Sequence, residues 1–292
     1  MQIKNYIFLL RPKHWIKNSF IFAPVIFAKQ INLLNIKISL LAFAAFSLIA
    51  SAIYIINDIA DIEEDKKHPR KSKRPLPAGK IAIKKAIFFD IFLIIFSITI
   101  GFLVNKNIVI ILSIYFMLNI LYTFKFKHIA ILDAFCIALG FVLRVLAGAV
   151  ALQVNTSGWI ITTTFFLALF LGFGKRRNEL LLIENGNKSK SPRKVLDQYN
   201  LDMLNQIIIS TGTISIIAYA LYTLDQSVIK RFGNDKLFYT TIFVAFGIYR
   251  YIYQLFKNSE GDPTEILTSD KSIILVTLLW AIAILLLIFN IV

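Results

Sequence analysis

Long apolar runs alternate with short polar stretches along nearly the whole 292-residue chain. The apolar runs cover approximately residues 18–35, 38–57, 82–104, 107–124, 129–151, 159–175, 203–224, 237–256 and 272–291. Each approaches the roughly 20 residues that a helix needs to cross a bilayer. The pattern predicts an all-α, polytopic membrane protein with about nine transmembrane helices. The first run is the least regular, since it contains Pro24 and is followed by Lys29. No low-complexity linker divides the chain, so residues 1–292 are expected to form a single integral membrane domain. Ahead of the first run, Ile3, Tyr6, Ile7 and Leu10 predict a helix lying in the membrane interface. That opening stretch is too short and wrongly ordered for a signal peptide.

Charge adds orientation. The stretches near residues 58–81 and 175–202 carry seven basic residues each, and with nine spans both lie on the side of the N-terminus. The positive-inside bias then puts the N-terminus and both loops in the cytoplasm and the C-terminus outside. Lys230, Arg231 and Lys236 oppose this assignment but are outnumbered. The net charge of +15 would suggest nucleic acid in a soluble protein. In a chain that is 57% hydrophobic it is explained by these loops, by anionic membrane lipid and by phosphate substrates, and no nucleic-acid partner is expected. Cys136 is the single cysteine, which excludes a disulfide framework and a thiolate metal site. His14, His68 and His128 have no zinc-ligand spacing.

The chemistry concentrates at the end of the second run, in Asn57-Asp58-Ile59-Ala60-Asp61-Ile62-Glu63-Glu64-Asp65. On a helix the spacing i, i+3, i+7 puts Asp58, Asp61 and Asp65 on one face. Three carboxylates there repel one another unless a cation lies between them. Hard oxygen donors suit Mg²⁺, which takes one or two carboxylates together with substrate phosphates. Carboxylates that close a membrane-spanning helix are costly and mark function. The basic residues just downstream, including Arg70, Lys73 and Arg74, suit phosphate oxygens. Pro69, Pro75, Pro77 and Gly79 interrupt helix formation there and shape a loop able to cover a substrate.

Two further clusters stand out. Gly174-Lys175-Arg176-Arg177-Asn178-Glu179 follows the sixth run, with Lys175 and Glu179 spaced to pair. It reads either as a positive-inside anchor or as an anion clamp facing the acidic motif, which together would suit a polyphosphate. Tyr122, Lys127 and His128 precede Asp133 and Arg144, which lie eleven residues apart on one helical face. Both charges fall in an apolar run and should point into the bundle, as an ion pair or toward substrate. Gly140 and Gly148 lie near that face and permit close helix contact.

Asn57-Asp58-x-x-Asp61-x-x-x-Asp65 resembles the first aspartate-rich motif of the UbiA superfamily of intramembrane prenyltransferases, and the nine-span plan is similar too. Three other stretches resemble the decaprenyl-phosphate phosphoribosyltransferase branch. They are Arg11-Pro12-x-x-Trp15-x-Lys17-Asn18, Lys73-Arg74-Pro75-x-Pro77-x-Gly79 and Gly174-Lys175-Arg176-Arg177-x-Glu179. Members that use aromatic acceptors carry a second aspartate-rich motif after helix six, where this chain has the basic cluster instead.

The resemblance implies a Mg²⁺-dependent enzyme of a bacterial cytoplasmic (inner) membrane, with its site facing the cytoplasm and a role in cell-wall biosynthesis. It would transfer the 5-phosphoribosyl group of 5-phosphoribosyl 1-diphosphate to a polyprenyl phosphate and release diphosphate. Homo-oligomer formation is compatible with this. Asp58 and Asp61 would be catalytic, Asp58, Asp61 and Asp65 would hold Mg²⁺, and Asn57 would orient or ligate. Arg70, Lys73 and Arg74 would take the diphosphate. Lys17, Lys175 and Arg176 would take the 5-phosphate or the lipid phosphate, and Tyr122 and Lys127 the sugar or the lipid phosphate. Arg144 and Glu179 complete the expected substrate-binding set. The alternative is prenyl transfer from a prenyl diphosphate to an aromatic acceptor. A transporter is a third reading, disfavoured because the acidic motif lies at a helix end rather than at mid-membrane.

Overall fold

The computed structural model describes residues 2–67, 71–184, 194–257 and 263–289. Every regular element among the described residues is helical. The α-helices are α1 (Gln2–Leu10), α2 (Ala23–Phe27), α3 (Leu33–Ala60), α4 (Ile62–Lys67), α5 (Ile83–Val104), α6 (Lys106–Phe124) and α7 (Leu132–Leu152). They continue with α8 (Gly158–Glu184), α9 (Leu201–Thr223), α10 (Gln226–Phe232), α11 (Thr241–Lys257), α12 (Pro263–Ser269) and α13 (Lys271–Ile288). Short 3-10 helices link several of them. Seven described helices are long and apolar enough to cross a membrane: α3, α5, α6, α7, α8, α9 and α13.

The two remaining expected spans are each built in two pieces. The run at 18–35 is not one helix. Pro12–Phe22 is a 3-10 helix, α2 follows, and the chain turns at Lys29, whose φ is 53°. An eleven-residue 3-10 helix is unusual, since its hydrogen-bond geometry is poorer than that of an α-helix. The run at 237–256 combines a 3-10 turn, Lys236–Thr240, with α11. The sixth run also differs from expectation. It does not end near residue 175, because α8 continues to Glu184 and carries the basic cluster within the helix.

The chain forms two compact units. The first contains α1 to α6 and most of α7. Its centre is α3, which packs against α5, α6 and the 3-10 helix Pro12–Phe22. Small residues keep this packing close: Ala42, Ala45 and Ala50 of α3 and Ala147 of α7 share a buried cluster with Phe46 and Ile21. A second cluster ties the loop after α4 to the bundle through Leu76, which packs with Leu9, Ala52 and Ile55. Gly79 turns that loop at a φ of 68°, a conformation open to glycine without strain.

The second unit contains Ile137–Val142 and α8 to α13. There α8 packs along α9, and α11 packs against α9 and α13. Asp270 caps α13 by accepting from the Ile273 amide at 2.9 Å, and it also receives Arg250 of α11 at 2.9 Å.

Candidate active site

The 3-10 helix Pro12–Phe22 lies along α3 in a regular register. Asn18 Nδ2 donates to Ser47 Oγ at 2.9 Å and Trp15 Nε1 donates to Ser51 Oγ at 3.0 Å. Ser51 Oγ in turn donates to the Leu10 carbonyl at 2.8 Å, and His14 meets the Tyr54 ring edge-on. Residues 18, 15, 14 and 11 thus step antiparallel to 47, 51, 54 and 58. Arg11 comes last. Its backbone is left-handed at φ 49° and ψ 57°, a conformation that costs a non-glycine residue about 1 kcal/mol or more. The side chain lies 4.9 Å from the Tyr54 ring centroid and donates to Asp58 Oδ1. Burial pushes the Arg11 guanidinium below its usual value, and Asp58 beside it opposes that shift.

From the other side, Gly148 and Arg144 of α7 hold the same 3-10 helix. A Cβ at Gly148 would overlap the Ile21 carbonyl oxygen, so only glycine admits the chain there. Arg144 Nε donates to Asn18 Oδ1 at 2.8 Å and its Nη2 to the Tyr115 hydroxyl at 2.9 Å. The guanidinium lies 5.0 Å from the ring centroids of both Phe46 and Tyr115.

The three aspartates do not share one partner. α3 ends at Ala60, and Asp61 is its C-cap with φ −97° and ψ 11°. The helix resumes at Ile62, and Asp61 Oδ1 accepts from Lys127 at 2.5 Å while the other two share Arg74. Asp58 and Asp65 still converge. Arg74 Nη1 lies 3.0 Å from Asp58 Oδ1 and 2.7 Å from Asp65 Oδ2, and Lys71 Nζ lies 3.2 Å from Asp65 Oδ1. Asp58 and Asp65 are only 2% and 1% exposed, so their charges need these partners. Among the described residues no three acidic or histidine groups close on one point. Two carboxylates do, on the point where the Arg74 nitrogen now sits. That donor set fits a hard cation, since Mg²⁺ needs only one or two carboxylates when a substrate supplies phosphate oxygens.

The structure therefore gathers Asp58, Asp61, Asp65, Arg74 and Lys127, and it adds Arg11 and Lys71, which the sequence reading did not assign to the site. Arg11 carried one signal, an arginine before a proline at the first membrane boundary. Lys71 carried none beyond its place in a basic run. Asn57 is half-buried on α3, and its carbonyl accepts from the Asp61 amide at 3.0 Å. Tyr122 is half-buried near the end of α6, and Lys17 and Lys73 are exposed. Arg144 lies in the Asn18–Tyr115 cluster rather than among the aspartates. Arg70 falls outside the described residues.

In the second unit, Arg176 is 1% exposed and pairs with Glu179 at 2.9 Å, taking the place expected for Lys175, which is exposed. Arg177 ties α8 to α9 and α11, donating to Asn205 Oδ1 at 2.7 Å and the Leu255 carbonyl at 2.9 Å.

The sequence profile of the UbiA prenyltransferase family matches residues 19–176, more than half of the chain. The chain belongs to the UbiA prenyltransferase family. It is 32% identical to the decaprenyl-phosphate phosphoribosyltransferase of Corynebacterium glutamicum, over 94% of this chain and 84% of that protein. It is 30% identical to the enzyme of the same name from Mycolicibacterium smegmatis, over 95% and 90% of the two chains. The fold is similar to that of a UbiA homologue from Archaeoglobus fulgidus bound to GPP and Mg²⁺. The TM-score is 0.71 at 19% identity, covering 97% of this chain and 99% of that one. This UbiA protein is thus a multi-pass membrane enzyme of the transferase class, in a family with members that bind a divalent metal.

Proposed function

We propose that this UbiA protein transfers the 5-phosphoribosyl group from 5-phosphoribosyl 1-diphosphate to a polyprenyl phosphate in a Mg²⁺-dependent reaction that releases diphosphate. One observation carries the reading. Asp58 and Asp65 converge on a shared cationic point and are ringed by Arg11, Lys71 and Arg74, a donor set for a metal-bound diphosphate. The names of the relatives, at about one-third identity over nearly the full length, supply the donor and acceptor classes. The basic cluster in α8, in place of a second aspartate motif, favours a donor that carries an extra phosphate over a prenyl diphosphate.

Asp58 and Asp65 would hold Mg²⁺, with Asp61 beside them. Bound Mg²⁺ neutralises the charge that builds on a diphosphate leaving group. Arg11, Arg74 and Lys71, with Arg70 and Lys73, bind the diphosphate oxygens and fix its orientation. Lys127, held by Asp61, positions the sugar or the lipid phosphate with Tyr122. Lys17 serves the lipid phosphate or the 5-phosphate. Lys175 and Arg176, with Glu179 holding Arg176, are further cations for the 5-phosphate or the lipid phosphate. The acceptor phosphate is already an anion, so no strong general base is required. Rate enhancement comes from positioning and electrostatics as the C1–O bond of the ribosyl group breaks. The site faces the cytoplasm, where the water-soluble donor is made, and the acceptor's tail stays in the bilayer of the inner membrane.

The test gives purified protein two donors side by side. One is 5-phosphoribosyl 1-diphosphate with a polyprenyl phosphate, and the other a prenyl diphosphate with an aromatic acceptor. Turnover of the first pair alone is expected, and turnover of the second pair alone would overturn the reading. Asp58→Asn and Asp61→Asn should each reduce turnover by about 100-fold or more while the protein keeps its helical circular dichroism.

A further inference from the structure

Among the described residues, the three aspartates are matched by four basic side chains: Arg11, Lys71, Arg74 and Lys127. Both Arg11 and Arg74 use the same oxygen, Asp58 Oδ1, and one Arg74 nitrogen lies between Asp58 and Asp65. The position suited to a metal is thus taken by a side chain of the protein itself. We propose that Arg11 and Arg74 make cation binding at the aspartate motif conditional on a diphosphate, with Arg74 the direct competitor of the metal.

The cluster already carries one positive charge more than it has carboxylates. A divalent cation arriving alone adds two more and separates Arg74 from both of its partners. The side chain of Arg74 is 30% exposed and that of Arg11 15%, so neither recovers full hydration when its carboxylate is taken. Losing the partner of a buried charge is costly. A diphosphate removes both objections. Its oxygens bring negative charge, and a guanidinium fork matches phosphate geometry as well as it matches carboxylate. The carboxylates pass from arginine to metal while the arginines pass from carboxylate to phosphate, and every charge stays paired.

The two arginines divide the work. Arg11 is fixed by its left-handed backbone, by the Tyr54 ring and by the ladder from Trp15 and Asn18 onto α3. Arg74 sits in a loop anchored by Leu76 and contacts both members of the convergent pair. Removing Arg74 therefore frees the metal position, whereas removing Arg11 frees only one lone-pair direction of Asp58.

The inference rests on reading the motif as a metal–diphosphate site but not on the identity of the donor. Its test uses Mn²⁺ and inorganic diphosphate, and it stands whichever donor the enzyme turns over. Equilibrium dialysis of the full-length protein in detergent measures bound Mn²⁺ with and without diphosphate, corrected for the complex in the protein-free chamber. Wild type should bind Mn²⁺ about tenfold or more tightly when diphosphate is present, within the usual range for coupled ligands. Arg74→Gln should bind Mn²⁺ alone about tenfold more tightly than wild type and lose most of the enhancement. Arg74→Lys keeps the charge and should bind Mn²⁺ alone no more tightly than wild type. Arg11→Gln should show a smaller gain than Arg74→Gln. Equal Mn²⁺ affinity with and without diphosphate in wild type overturns the proposal. So does an Arg74→Gln protein, with helical circular dichroism intact, that binds Mn²⁺ alone no better than wild type. Should Arg74→Gln lose its helicity, wild type and Arg11→Gln decide the matter by the same criteria.

Discussion

Arg144 Nε donates to Asn18 Oδ1 at 2.8 Å, joining the middle of α7 to the 3-10 helix that Arg11 N-caps. A buried guanidinium in a membrane span needs a reason. Here its contacts lead to a segment that aims Arg11 at Asp58, so Arg144 acts as a positioning residue. Arg144→Leu removes the donor to Asn18 Oδ1 and to the Tyr115 hydroxyl, at about 1–3 kcal/mol for each group left unsatisfied. Arg144→Leu and Asn18→Ala should each lower kcat/KM by about tenfold, and the double variant should be no worse than the poorer single one. Additive losses in that cycle would place Arg144 on the substrate independently of Asn18.

Gly148 makes a second, steric version of the same prediction. Its Cβ position is filled by the Ile21 carbonyl, and Pro24 Cδ lies 3.1 Å away. Gly148→Ala must push the 3-10 helix off α7, an overpacking that costs about 1–3 kcal/mol. Thermal unfolding in detergent should show a clearly lowered Tm and reduced turnover. Gly158→Ala is the control, because nothing lies within 4 Å of a Cβ there. Equal melting temperatures for the two variants would contradict the close approach.

Asp270 links pH to the stability of the second unit. Its hydrogen bonds from Arg250, the Ile273 amide and Gln254 hold the carboxyl down to about 2. The folded value lies below the ordinary value of about 3.9, so the contribution is complete above pH 4 and is lost as pH falls toward 2. Asp270→Ala removes the cap of α13 and should cost about 1 kcal/mol. The Tm difference between wild type and Asp270→Ala should be the same at pH 7 and pH 5. It should narrow between pH 4 and pH 2.5, where a constant difference would contradict the assignment.

The membrane class, the helical fold and the aspartate motif were legible because each rests on local pattern. Apolar runs of bilayer length and carboxylates at a helix end need no knowledge of partners. The first run misled because hydropathy is blind to how the backbone winds, and Pro12–Phe22 packs as a 3-10 helix held by Ser47, Ser51 and Gly148. The basic cluster was expected to follow the sixth run, but Gly174 sits inside α8, where a Cβ would lie 3.3 Å from the Tyr251 hydroxyl. The expected Lys175–Glu179 pair gave way to Arg176–Glu179, since both i+3 and i+4 spacings reach and burial of Arg176 decides between them. Arg11 was hidden for a different reason. Its partner lies 47 residues away, and no spacing rule connects them. Arg144 was visible as an intramembrane charge, but its link to Asn18 spans 126 residues.

The central claim is the transfer of a phosphoribosyl group to a lipid phosphate. The most direct measurement follows 5-phosphoribosyl 1-diphosphate labelled both in the ribose and in the 5-phosphate. Purified protein receives it with a polyprenyl phosphate and Mg²⁺, and label is measured in the lipid phase beside diphosphate in the aqueous phase. Both labels should enter the lipid together, with one diphosphate released for each lipid labelled and none without metal. A folded protein that leaves both labels in the aqueous phase, while accepting a prenyl diphosphate as donor, would contradict the account.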